Sequence, residues 1–249
     1  MNPPHGAEGR SNATDALDRP AGDDPFPHHY ALLEHVHRVL RPRTYVEIGV
    51  DAGLGLRFAA PGTTVVGIDP VLRSEVVAAH PDAHLVEATS DEFFATRDLG
   101  TLLDGRPVDL AFVDGMHRFE HVLRDLANLQ PYCDHGSVVL VHDCLPSDEA
   151  CAARERATVA WAGDVWRAAH ALVTEWPDAG FLTLDVPPTG MGLLVGLGGI
   201  PPLAECVAPW TARYGQVPFD RYEADPSTTV NVAAATPARL EALLPDPRP

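Results

Sequence analysis

Residues 45–53 read YVEIGVDAG, an apolar run broken only by Glu47 that ends in Gly49 and Gly53. A short apolar run leading into glycines predicts a buried strand and a tight turn, because glycine accepts left-handed backbone and lets a ligand approach the main chain. Thr63 to Ile68 predicts a second strand, rich in β-branched residues, that closes on Gly67-Ile68-Asp69. Asp69 lies about twenty residues beyond Gly49, the separation at which an acid can accept hydrogen bonds from a ribose diol. Together the two segments point to an adenosine-containing ligand; the competing reading is a purely structural turn. A dinucleotide loop would have a second glycine making room for a pyrophosphate, and here Asp51 fills that slot. A carboxylate there disfavours a diphosphate and tolerates a ligand carrying ammonium and sulfonium charges.

Outward from this pair the chain alternates strand and helix. His84–Glu87, Val108–Val113 and Ser137–Val141 predict further strands, the last two as continuous apolar runs of the kind buried on both faces of a parallel sheet. Phe119, Val122, Leu123, Leu126 and Leu129 form a helical stripe between them. An earlier helix carries Leu32, Leu33, Val36, Val39 and Leu40 and is stopped by Pro42; a later one is expected over Asp164–Val173 with Asp164 as N-cap. Phe181–Asp185 and Met191–Leu197 read as closing strands. The class is therefore α/β, with right-handed crossovers.

The 249 residues provide for one full-sized domain, expected over residues 28–200. Residues 1–27 have few large apolar groups and are expected to form a mobile arm. Residues 201–249 are interrupted by proline and predict an irregular extension with one short helix at Ala238–Leu244. Eighteen basic against 35 acidic side chains give a charge of −17, which argues against nucleic acid or an anionic membrane as partner. No apolar run approaches the ~20 residues that span a bilayer, and the N-terminal stretch lacks the apolar core of an export signal. The expectation is a soluble, cytoplasmic protein whose four cysteines, none in a CxxC pair, stay reduced.

The motifs YVEIGVDAG, VVGIDP (65–70), TSDEFF (89–94), VDLAFVDGMHRFEHVLRDL (108–126) and VVLVHDC (138–144) resemble those of the class I S-adenosylmethionine-dependent methyltransferases. They are most similar to the branch with macrocin-type sugar O-methyltransferases and cephalosporin-hydroxylase-like proteins, marked by a fourth strand ending in DGxHx(F/Y)E. The resemblance implies a doubly wound, Rossmann-like sheet of order 3-2-1-4-5-7-6 with the last strand antiparallel. It implies S-adenosylmethionine as cofactor, with Glu47, Gly49 and Gly53 framing the methionine moiety, Asp69 on the ribose, Thr89 and Ser90 at the adenine edge, and Asp114 also among the cofactor-binding residues. Gly55 departs from the Ser or Thr that relatives often carry at that point.

Asp114 ends the fourth predicted strand and His142-Asp143 the fifth, so if the strands are neighbours, about 4.8 Å apart, the three side chains converge. Carboxylate, imidazole and carboxylate form a workable ligand set for a divalent cation. Relatives bind magnesium through an Asp and an Asp-Asp pair; His142 replaces one of those acids and makes magnesium a poorer match. Without a metal, His142 or His117 is the candidate general base, and Asp143 is counted with them as a catalytic residue. The competing reading leaves Asp114 and Asp143 bonding local amides and both histidines in solvent. Glu120 and Asp125 are expected to cap or to pair with Arg118 and Arg124, and Trp161 and Trp166 either cover an acceptor or pack helix on sheet.

The resulting expectation is methyl transfer to a small-molecule acceptor, a hydroxyl in the leading case, in secondary metabolism and with room for a divalent metal and a homo-oligomer. N-methylation, a non-methylating use of the fold, and a catalytically idle cofactor-binding partner are the rivals.

Overall fold

The computed structural model describes residues 23–248. Eight strands form one sheet: β1 (Thr44–Ile48), β2 (Thr64–Asp69), β3 (His84–Glu87), β4 (Leu110–Val113), β5 (Val138–His142), β6 (Leu182–Asp185), β7 (Met191–Val195) and β8 (Val232–Ala234). Their order is 3-2-1-4-5-7-6-8, with β7 antiparallel to both β5 and β6. The expected seven-strand order is present, and an eighth strand extends it by pairing in parallel with β6.

The helices are α1 (His29–Leu40), α2 (Ser74–Ala79), α3 (Ser90–Thr96), α4 (Leu99–Leu102), α5 (Phe119–Leu129), α6 (Trp166–Glu175), α7 (Val207–Tyr214), α8 (Phe219–Ala224), α9 (Pro226–Thr229) and α10 (Pro237–Leu243). Strand periodicity divides the core in two. Val46, Ile48, Ala111, Val113, Val139 and Val141 face α3, α5 and α6 through Phe93, Leu123 and Trp166. Tyr45, Leu110, Phe112, Val138 and Leu140 face the opposite layer, where Leu32, Leu33 and Val36 of α1 and Leu240 of α10 pack. Both faces of the central strands are thus covered, which is why β1, β4 and β5 are buried at every position.

Three expectations need correction. Residues 201–249 are more ordered than an irregular tail with one helix: they hold α7 to α10 and β8. Pro226 and Pro237 stand in the first turns of α9 and α10, where the missing N–H costs no helical bond, so these prolines start helices. Of the expected mobile arm, residues 1–22 lie outside the described residues, while Phe26 is buried and its N–H donates to the Ala235 carbonyl beside β8. Asp164 is not the cap of α6. Its buried carboxylate accepts from the Phe119 N–H at 3.0 Å and pairs with Arg154 and Arg167.

Candidate active site

The parallel strands β1, β2 and β4 present their carboxyl ends at one edge, and the loops there close because particular backbone atoms meet. Gly49 N–H donates to Ile68 O at 2.9 Å and Asp114 N–H to Ile48 O at 2.8 Å, tying the three strand ends together. A Cβ on Gly49, whose φ is +90°, would lie 2.1 Å from the Asp114 carbonyl oxygen, so only glycine fits. Asp69 braces the neighbouring turn. Its Oδ2 accepts from Val50 N–H (2.8 Å) and Asp51 N–H (3.0 Å), and its Oδ1 from Val71 N–H (2.8 Å). Three of a carboxylate's roughly four acceptor positions are then filled, leaving one for a ligand hydroxyl.

Above these loops lies a cavity of about 610 Å³, with Gly49, Asp69, Thr89, Ser90 and Asp114 among its lining residues. Five of the seven residues expected around the cofactor are therefore in one lining. Glu47 and Gly53 are outside it. Glu47 is buried beneath the loop and accepts from Tyr45 Oη at 2.7 Å; a Cβ on Gly55 would meet its Oε2 at 2.6 Å. The glycine that departs from relatives thus makes room for this carboxyl. Burial pushes the Glu47 pKa up to about 8, against the pull of the Tyr45 hydrogen bond. Asp51 also lines the cavity, where it pairs with Arg73.

A second cavity, about 470 Å³, adjoins the first and shares Tyr30, Asp114, Gly115, Met116, His117 and Arg156 with it. His142, Asp143 and Thr189 line its other side. The acid and histidine cluster therefore forms the border between two chambers. His142 Nδ1 lies 3.1 Å from Asp114 Oδ1 and 3.4 Å from Asp143 Oδ2. Burial opposes a charge on this ring, but the two carboxylates outweigh it and raise the pKa to about 10. This direction favours the protonated ring near neutral pH. Asp143 is held well below the ordinary carboxylate range: its burial works against this, and the His142 and His117 contacts prevail. Thr189 Oγ1 donates to its other oxygen at 2.5 Å.

His117 has the geometry of a base. Its Nδ1 lies 2.8 Å from Asp143 Oδ2 and 2.9 Å from the Trp161 carbonyl oxygen. A carbonyl can only accept, so this network assigns the hydrogen to Nδ1 and leaves the lone pair on Nε2, 3.5 Å from Asp114 Oδ1. The Trp161 indole stacks on the imidazole at 4.9 Å and 3°. Burial lowers the affinity of His117 for a proton, yet bonding to Asp143 and the charge of Asp114 leave its pKa above the ordinary 6.5. His117 and Asp143 both have left-handed backbones, with φ of 53° and 68°, a conformation uncommon for residues with side chains and frequent at functional sites.

For metal binding the structure adds His117 to the candidate donors. Asp114, His117 and Asp143 have ligand atoms all within 4.8 Å of one another, and His142, expected in this set, touches both of the same acids. Two oxygens and one nitrogen fit a divalent ion of intermediate softness.

The sequence reading missed several wall residues. His29, at the start of α1, lies against His142 with ring centroids 4.1 Å apart and planes tilted by 37°, and burial lowers its pKa to about 3. Asp125 lines the first cavity and is 2% exposed; Arg124, its expected partner, pairs with Asp91 instead. Glu120 pairs with Arg154. The two indoles separate: Trp161 lines the second cavity, and Trp166 is buried against Phe219 and Tyr222.

A sheet of this order with a cavity over the carboxyl ends of β1, β2 and β4 is the fold of the class I S-adenosylmethionine-dependent methyltransferases. Residues 46–144, from β1 through the His142-Asp143 turn, match the model of the methyltransferase domain family Methyltransf_24. Solved structures of similar fold include cofactor-bound Rv0187 from MTB, 18% identical over 74% of this chain and 85% of that one, with a TM-score of 0.53. An O-methyltransferase from Bacillus cereus in complex with SAH is 13% identical over 73% of this chain and 86% of that one, with a TM-score of 0.51. No curated protein matches the chain. Among the described residues, no helix is long and apolar enough to cross a membrane.

Proposed function

We propose that the chain transfers the methyl group of S-adenosylmethionine to a hydroxyl of a small molecule, with the cofactor in the 610 Å³ cavity and the acceptor in the 470 Å³ cavity. The observation that carries this reading is His117 on the wall between them, with Nδ1 bonded to Asp143 and Nε2 free to take a proton. The acceptor oxygen attacks the methyl carbon, the carbon–sulfur bond breaks, S-adenosylhomocysteine leaves, and the hydroxyl proton passes to His117 Nε2. The sulfonium supplies the reactivity, so the protein aligns the reactants, excludes water and removes one proton.

In this reading Gly49 brings the cofactor close to backbone, Asp69 takes a ribose hydroxyl on its remaining lone pair, and Thr89 and Ser90 meet the adenine. Glu47 and Gly53 act from below, by shaping the loop. A small-molecule acceptor, a place in secondary metabolism, a cytoplasmic setting and a homo-oligomeric assembly belong to the same reading, supported by the resemblance of the motifs.

A second reading rests on the donor set at the partition. Asp114, His117 and Asp143 would hold a divalent ion, which would supply polarisation of the acceptor oxygen. The readings are exclusive at His117, because a nitrogen that ligates a metal cannot also collect the proton. Titration of S-adenosylhomocysteine into the chain, with and without chelator, tests both. One-site binding unaffected by chelator, with methyl transfer that also survives it, is expected for the base reading. Transfer lost on chelation and restored by metal would establish the second, and absence of binding at millimolar ligand would reject the cofactor assignment.

A further inference from the structure

The loop between β5 and α6 supplies Arg156, Val159, Ala160 and Trp161 to the lining of the 470 Å³ cavity. The arginines around it are engaged: Arg154 pairs with Glu120 and Asp164, and Arg118 pairs with Glu155. Two arginines line the cavities, and Arg73 is paired with Asp51. Arg156, which lines both, makes no ion pair among the described residues; its guanidinium donates to the Val159 carbonyl of its own loop at 3.3 Å. That bond uses one of its roughly five N–H donors and leaves the charge unmatched. Apolar groups stand beside it. Met116 and Val159 line the same cavity while 55% and 93% exposed, so they form its rim, and the Trp161 indole continues the surface inward to His117. Exposed apolar side chains gathered at a cavity mark a ligand surface, and a few polar groups among them fix the ligand's orientation.

We propose that Arg156 determines acceptor specificity by binding a carboxylate, so that the methyl acceptor is a small hydroxy acid with an apolar or aromatic body. This rests on the acceptor occupying the 470 Å³ cavity, as argued above. A guanidinium matches a carboxylate with two parallel N–H bonds, a geometry that neither an alcohol nor an amide reproduces. With the carboxylate on Arg156, the body of the acceptor lies along Met116, Val159 and Trp161, and its hydroxyl points to His117 at the inner end of the same lining. The charge balance selects a monoanion. Asp114 and Asp143 line this cavity too, and Arg156 is the one arginine among its described lining residues, so a phosphate dianion would be left partly unneutralised beside two carboxylates. An amine-bearing acceptor would set a second cation against Arg156, and a neutral alcohol would leave the guanidinium unmatched.

The test is calorimetric titration of the full chain, loaded with S-adenosylhomocysteine at neutral pH, with para-(hydroxymethyl)benzoate and para-(hydroxymethyl)benzamide. The two probes share ring and hydroxyl and differ in charge. Wild type should bind the acid at least ~10-fold more tightly, the scale of a hydrogen bond to a charged group. Arg156→Gln should reduce that ratio to less than ~3-fold, and Arg156→Lys, which keeps the charge and loses the fork, should retain an intermediate preference. Both variants should bind S-adenosylhomocysteine within about threefold of wild type and unfold at the wild-type midpoint, since the side chain is exposed. Equal binding of the two probes, binding of neither at millimolar concentration, or a preference that survives Arg156→Gln overturns the inference and leaves the cofactor site standing. A tenfold loss of S-adenosylhomocysteine affinity in Arg156→Gln with the probe ratio unchanged also overturns it, because it assigns the guanidinium to the cofactor. Failure of wild type to bind S-adenosylhomocysteine overturns the methyl-transfer reading and this inference with it.

Discussion

His117 Nδ1 and Asp143 Oδ2 meet at 2.8 Å across the gap between the loops that follow β4 and β5. The contact depends on both residues holding left-handed backbones, and it is locked from the other side by Thr189 on Asp143 and Trp161 on His117. A carboxylate that orients an imidazole and stabilises its protonated form is the usual partner of a histidine general base.

His117→Ala should lower kcat by roughly 10²- to 10⁴-fold, the range of a lost general base. Affinity for S-adenosylhomocysteine should stay within about threefold. Because only the neutral ring accepts a proton, the rate should rise with pH through a value above the ordinary histidine 6.5, the direction in which Asp143 and Asp114 move this group. Steady-state rates across pH check this. A pH-independent rate in wild type, or an active His117→Ala, excludes the base.

The neighbouring ring should show its charge in stability rather than in catalysis. His142 has its pKa raised from 6.5 to about 10, so its contribution is full below pH 6.5 and is lost as pH climbs toward 10. Asp143 is shifted the other way, so its share is present above pH 3.8 and is lost as the solution is acidified. The thermal-midpoint gap between wild type and His142→Gln should therefore be widest near pH 5 to 6 and narrow steadily up to pH 10. A gap that widens with rising pH would show that the ring is buried neutral.

Glu47→Gln separates the acid under the loop from those in the cavity. With a pKa of about 8, Glu47 is mostly protonated at pH 7, and its burial grows more costly as pH passes from 4.5 through 8. The amide variant should match wild type in melting near pH 6, exceed it at pH 9, and bind S-adenosylhomocysteine within about threefold of wild type. A tenfold or greater loss of affinity would place Glu47 in direct contact with the cofactor.

Gly49→Ala should be destabilising by about 1–3 kcal/mol, the usual cost of a forced left-handed residue, and more if the chain ends of β1 and β4 separate. The added methyl meets the Asp114 carbonyl, so S-adenosylhomocysteine affinity should fall as well. Urea unfolding and calorimetry measure the two effects. A variant as stable as wild type with unchanged affinity would mean that the strand ends are not packed as described.

The strands were legible in the sequence because their signal is local: continuous apolar runs, each bounded by glycine, proline or an acid, place seven strands within a residue or two of where they lie. β8 was not, since Val232–Ala234 is three residues long and has meaning only beside β6. Asp114, His117, His142 and Asp143 could be singled out because strand ends in a parallel sheet converge. Which histidine faces the metal-like donor set could not, because that depends on the left-handed turn at His117 and on Trp161 packing above it. His29, Thr189 and Asp125 had no spacing to reveal them. They reach the site through α1, the β6–β7 turn and the buried face of α5, and it is tertiary packing that makes one a wall, one a brace and one a buried acid.

The proposed methyl transfer requires two chambers to meet at the Asp114–His117 partition, cofactor on one side and acceptor on the other. A crystal structure of the chain with S-adenosylhomocysteine tests it most directly. The expected result places the ribose at Asp69, the purine between α3 and α5, and the sulfur facing the partition toward His117 Nε2. A ligand bound elsewhere, or bound with its sulfur turned away from the second cavity, would contradict it.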